Sequence, residues 1–150
     1  MATYSAPDRT FDAGVPAQWS DDFAVTPEGL IVGEYPAQFV EDKPTAYSQT
    51  LAAYTVVGLN ASGEVVKATW NATPASAVKP IGILMYPVTT GASGDKLAAR
   101  VLRSGCVNPD RLVWDSSFDT DAKKLNAFEG SASPTQFVLR KLAQYTPVLP

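Results

Sequence analysis

From residue 46 onward the apolar and polar positions fall into the two-residue rhythm of strands. Leu51-Ala52-Ala53-Tyr54-Thr55-Val56-Val57 is β-branched and aromatic, which suits a pleated, half-buried surface. Leu59-Asn60-Ala61-Ser62-Gly63 supplies turn chemistry, and Val66, Ala68 and Trp70 then alternate with Val65, Lys67 and Thr69. The pattern predicts a hairpin with one buried face. Pro80-Ile81-Gly82-Ile83-Leu84-Met85-Tyr86 is a nearly continuous apolar run closed by Pro87, too short for a typical helix, and reads as a fully buried strand. After the Gly91-Ala92-Ser93-Gly94 turn, Leu97, Ala99 and Val101 alternate with Lys96, Ala98 and Arg100, predicting another half-buried strand.

One segment has helical character. Across Asp119 to Phe128, Asp119 can cap, Asp121 sits in the first turn where the backbone dipole favours negative charge, and Gly130 follows as a stop. Ala122, Leu125 and Phe128 would share one side. Gln136-Phe137-Val138-Leu139-Arg140 predicts a last strand. The fold class expected is mainly β with one short helix.

The first 45 residues differ. Prolines at 7, 16, 27, 36 and 44 recur about every nine positions, removing backbone donors and forbidding a sustained helix. Yet Phe11, Trp19, Phe23, Leu30, Ile31, Tyr35 and Phe39 are too many large apolar groups to leave in water. We expect an extended arm over 1–45 that docks onto a partner, a β-rich core over 46–132 and a C-terminal extension over 133–150. Within the arm, Pro16-Ala17-Gln18-Trp19-Ser20-Asp21-Asp22 and Pro36-Ala37-Gln38-Phe39-Val40-Glu41-Asp42 echo each other. Two copies are fewer than an array requires, so shared turn preference explains the echo as well as a repeated binding peptide does.

Composition sharpens this picture in two ways. The 150 residues suffice for one domain. The net charge of −3 is uneven: residues 1–45 hold two basic and eight acidic groups, a net of −6, whereas the rest is net +3. An acidic arm and no basic cluster with interleaved aromatics argue against a nucleic-acid partner. No stretch approaches the roughly 18 apolar residues that span a bilayer, and residues 1–5 lack a basic leader. We therefore expect no membrane partner and synthesis in a cytoplasm.

Catalytic chemistry finds little purchase. There is no histidine and one cysteine, Cys106, which removes the commonest base, the commonest metal ligand and any intrachain disulfide. Cys106 reads as a small buried apolar group. Asp115, Asp119 and Asp121 are close in sequence, but they suit a turn and a helix start better than a metal or acid–base pair. Trp70 and Trp114 could stack on sugar, although strand alternation favours a core role. We expect no enzyme, no metal and no cofactor.

The order of motifs in 46–132 then becomes recognisable: an apolar hairpin ending in Trp70, the Gly82-Ile83-Leu84 strand, a Ser104-Gly105 turn, Leu112-Val113-Trp114, Lys123-Lys124 and Ala127-Phe128-Glu129-Gly130-Ser131. The set resembles the head decoration proteins of bacteriophage lambda and its relatives, with Trp70, Gly82, Trp114 and Phe128 as core landmarks. The resemblance implies a compact β-rich, β-clip-like subunit. It would assemble as a homotrimer on the exterior of the expanded capsid and cement the shell of the virion against packaged DNA. The partner implied is the major capsid protein. In that family the N-terminal segment is loose in free protein, orders on the capsid, and both chain ends face the shell. Trp19, Phe23, Tyr35 and Phe39 are then the candidate capsid-binding residues of the arm. This chain departs from the pattern by a longer arm and about 18 residues after Gly130-Ser131. The alternative from another class is a virion-surface module that binds host glycans.

Overall fold

A computed structural model describes residues 29–141. Nine strands dominate: β1 (Ile31–Gly33), β2 (Phe39–Pro44), β3 (Thr50–Leu51), β4 (Val56–Leu59), β5 (Val65–Lys67), β6 (Pro80–Leu84), β7 (Val88–Thr89), β8 (Ala98–Val107) and β9 (Gln136–Leu139). One short helix, α1 (Asp121–Leu125), interrupts them, so the mainly β class stands. β3 and β7 form a small separate ribbon, and the other seven strands form one sheet.

The long strand β8 organises that sheet. On one edge it pairs antiparallel with β2 along its first part and with β1 at Cys106 and Val107. On the other it pairs with β6 at Val101 and Leu102, then in parallel with β9 from Ser104 to Val107. β4 and β5 extend the sheet beyond β6. It curls far enough that Thr45, just after β2, bridges Val65 of β5.

Both faces of the sheet are covered. Neighbouring residues on one strand go to different clusters: Val56, Ile83 and Leu102 join Phe118, Ala127 and Phe128, whereas Val57, Leu84 and Val101 join Leu51, Val65 and Ala99. Successive side chains of a strand point to opposite faces, so two small cores sandwich the sheet. This explains the unbroken apolar run at 80–84, where all five residues are buried. Along β8 the alternation changes phase: Leu102 and Val107 reach the same cluster although five positions apart. Between them the register against β2 slips, with Phe39 opposite Ser104 and Val40 opposite Leu102, and Gly105 has φ 150°.

Several expectations need correction. Ser104-Gly105 is no turn; both lie inside β8, where every residue from Val101 to Val107 is buried and Ser104 and Gly105 pair with Gln136 and Phe137 of β9. The segment 51–57 is broken, with only Thr50–Leu51 and Val56 onward in strands; between them Tyr54 has φ 65°. The hairpin does form from β4 and β5, but it buries Val65 and Ala68 completely while Trp70 is 42% exposed. Leu97 precedes β8 and is exposed.

The helix is shorter than expected and is capped by Thr120, whose Oγ1 accepts from Lys123 N at 3.3 Å. Its residues Ala122 and Leu125 are exposed; burial falls on Ala127 and Phe128 just after it. Finally, the boundary drawn at residue 45 cuts through the sheet. β1 and β2 precede it and both pair with β8. The last strand is present as β9, so part of the segment assigned to the C-terminal extension also belongs to the sheet.

Candidate docking surface

The outer side of β2 takes no strand partner among the described residues, and a row of free backbone groups at a sheet edge is a template for another strand. Large apolar side chains gather there: Tyr35 is 77% exposed, Phe39 47% and Val40 46%. The chain enters β2 through the cis Tyr35-Pro36 peptide bond, and Ser104 Oγ fastens the entry by donating to the Ala37 carbonyl.

Charge pairs hold this edge to the sheet. On one face Asp42 meets Arg100 in a two-pronged contact at 3.0 and 3.1 Å. The hydrogen bond from Arg100 holds the Asp42 carboxyl below its ordinary value and raises Arg100 in return. On the other face Glu41 pairs with the buried Arg103, which also donates to Thr135 Oγ1 at 3.0 and 2.9 Å. Thr135 in turn donates to the Ile81 carbonyl at 2.7 Å, so one guanidinium ties β2, β8 and the entry to β9 together.

The first and last described strands converge on this region. Ile31 and Leu139 are both partners of Val107, on opposite edges of β8, and Arg140 N donates to the Val107 carbonyl at 2.9 Å. The first and last described residues therefore lie at the same pole. The Asn60–Gly63 turn and the Gly91–Gly94 loop lie toward the opposite end, where Glu64 pairs with Lys96 just before β8 begins.

Of the four candidate arm residues, Trp19 and Phe23 lie outside the described residues; Tyr35 and Phe39 are exposed four positions apart beside one edge. The landmarks play different parts. Gly82 lies where β6 presses on β8: a Cβ there would meet Val101 Cγ1 at 2.3 Å and the Leu102 carbonyl at 2.6 Å. Trp114 stacks at a tilt on Phe118, 5.2 Å between centroids, and donates to the Pro109 carbonyl at 2.9 Å. Phe128 packs on Phe137 at 4.6 Å. Trp70 leaves the core and lines a cavity of about 250 Å3 with Ala77, Pro80, Phe118 and Ala127, a feature that alternation alone did not reveal.

The carboxylates of 115–121 hold turns and ion pairs. Ser117 N and Oγ donate to Asp115 at 3.0 and 2.7 Å and lower its pKa. Lys123 does the same for Asp119, and Lys141 for Asp121. Among the described residues no group of three acidic or thiol ligands is placed to hold a metal. Cys106 is buried, and among the described residues no helix is long and apolar enough to cross a membrane.

The described residues define a small curled β-sheet protein with one unpaired edge strand flanked by exposed aromatic side chains. Residues 23–134, 112 of the 150, match the family described as bacteriophage lambda head decoration protein D, and the chain belongs to that family. It is a capsid decoration protein, a structural component of a phage head. No curated protein matches the chain.

Proposed function

We propose that this protein binds the exterior of the expanded capsid as a homotrimer, contacts the major capsid protein through its chain ends and β2 edge, and cements the shell against internal DNA pressure. The observation that carries the reading is the convergence of Ile31 and Leu139, near the first and last described residues, on Val107. Tyr35 and Phe39 flank that region, and Trp19 and Phe23 precede it.

The mechanism is one of linkage. A protein that binds the assembled shell and not its separated subunits shifts the disassembly equilibrium by mass action. A free strand edge contributes backbone hydrogen bonds and aromatic side chains fill pockets. Ordering a terminal segment costs about 2–5 kcal/mol of the gross interaction, and three subunits acting together recover this through effective concentration. The test is co-sedimentation of purified protein with expanded, undecorated capsids and with unexpanded procapsids, alongside sedimentation equilibrium for the trimer. Saturable binding to expanded shells alone supports the reading; equal binding to both, or to neither, overturns it.

A further inference from the structure

We propose that the groove along the outer edge of β9 takes up an extended segment of the major capsid protein as an added strand, and that the adjoining cavity beside Trp70 seats a large apolar side chain of that segment. The inference rests on the capsid-binding reading above and extends it from the β2 edge to the opposite side of β8.

Backbone geometry carries the first half. Among the described residues β9 pairs with β8 alone. Arg140 N donates to the Val107 carbonyl, and the backbone groups of successive strand residues point to alternate sides. The N–H and C=O groups of Phe137 and Leu139 therefore point away from β8, while their side chains pack against the core. Beside them a groove of about 570 Å3 runs between β9 and the chain from 125 to 131. Leu125 and Val138 stand exposed on its two walls. Strand-spaced donors and acceptors along one wall fit an extended peptide. β9 ends beside Val107, so the groove opens at the pole that, in the reading above, meets the shell.

The cavity supplies side-chain chemistry. Its volume of about 250 Å3, walled by Trp70, Ala72, Ala77, Pro80, Phe118 and Ala127, suits one large apolar side chain. It adjoins the groove at two points: Ser131 of the groove wall donates to the Pro80 carbonyl at 2.7 Å, and Lys79 of the cavity wall donates to the Glu129 carbonyl. Lys79 thus stands between the two hollows. Its partner there is an uncharged carbonyl and an ammonium has three donors, so a carboxylate beside the apolar anchor complements it. The Lys123 ammonium, 5.7 Å from the Trp70 ring centre, adds positive potential that Asp119, at 2.8 Å, offsets in part. The segment sought is therefore extended and carries a large apolar residue next to Asp or Glu.

The experiment uses the full chain, free and bound to expanded, undecorated shells. Hydrogen exchange is read on the peptide spanning 136–141 and, for reference, on the turn at 60–63. The Phe137 and Leu139 amides exchange fast in free protein and should slow by at least about 100-fold on shells, with the turn unchanged. Ala72→Phe fills the cavity from an exposed wall position. It should keep the wild-type melting temperature and bind shells about tenfold more weakly.

Shell binding with both amides still fast overturns the added strand and leaves capsid binding standing. Protection already present in free protein overturns it too, because the edge is then covered by the protein itself or by a second copy. Wild-type shell affinity in Ala72→Phe overturns the apolar anchor. Absence of shell binding removes the reading beneath the inference, and the inference with it.

Discussion

Arg103, 4% exposed in the middle of β8, places its guanidinium against the Glu41 carboxylate of β2. Removing one partner of a buried pair leaves an uncompensated charge, which costs about 3–5 kcal/mol when both are fully buried. The Glu41 side chain is 26% exposed, so Glu41→Ala should cost less, on the order of 2–3 kcal/mol. Urea melts of Glu41→Ala, Arg103→Met and the double variant will check this. The double variant should recover a large part of the loss, since replacing both charges removes the stranded cation.

Gly82→Ala should destabilise the fold by about 1–3 kcal/mol, the usual cost of overpacking. Its methyl would have to displace β8 backbone at the Leu102 carbonyl, which cannot rotate away. Gly63→Ala is the control for an added methyl in open space, since nothing lies within 4 Å there, although its φ of 77° brings a smaller backbone strain. Thermal unfolding should show a larger drop for Gly82→Ala.

Truncation should separate the terminal segment from the sheet. Deleting residues 1–28 should leave a cooperative unfolding transition. Deleting 1–45 should abolish it, because β1 and β2 go with it and one whole edge of β8 is stripped. Circular dichroism with urea titration distinguishes the two outcomes.

Tyr35→Ala and Phe39→Ala should fold normally, since Tyr35 is mostly and Phe39 about half in solvent, yet release faster from expanded capsids. Loss of an aromatic anchor typically costs at least 2 kcal/mol. Each tenfold in rate is about 1.4 kcal/mol, so off-rates should rise by roughly 10- to 100-fold while on-rates change little. Surface-immobilised capsids give both rates.

Acid should weaken the fold in a defined window. Asp42, Asp115, Asp119 and Asp121 all titrate below the ordinary 3.8. A depressed folded value means the native state favours the ionised form, so this stability is complete above pH 3.8 and is lost as pH falls through the lower native values. Stability should therefore be flat between pH 5 and 7 with respect to these groups and fall below about pH 4. Salt should erase much of the contribution from the exposed pairs at 42, 119 and 121. Asp115, held first by Ser117 hydrogen bonds, should keep its share, and Asp115→Asn should flatten that residual slope.

How far the sequence could be read depended on whether local pattern matched local environment. Residues 80–84 were legible because a strand covered on both faces is apolar throughout, and Gln136–Leu139 because its alternation survives in the sheet. Ser104-Gly105 misled because small polar residues usually mark turns, whereas here Ser104 fastens Ala37 and Gly105 sits at a change of phase within β8. The prolines at 36 and 44 obscured β1 and β2: Pro36 lies before β2, and Pro44 is its last residue. Trp70 was assigned inward by alternation, and nothing local signalled that its strand would end at Lys67. At the candidate edge, Tyr35 and Phe39 were nameable as apolar groups in need of a surface; their placement beside β8 was set by contacts about 65 positions away.

Because Ile31 and Leu139 flank Val107 from opposite sides at one pole, a pull on both ends toward that pole enters the molecule as two shear loads of the same sense, one on each edge of one strand. β1, with β2 behind it, and β9 would have to slide along β8, and inter-strand hydrogen bonds of the antiparallel β1 and β2 ladders lie across that direction. Six residues of β2 and four of β9 are then loaded together; a strand peeled from one end would yield them singly. Tension from a swelling surface beneath would thus be shared between two ladders of a single covalent spine, with little torque on either core.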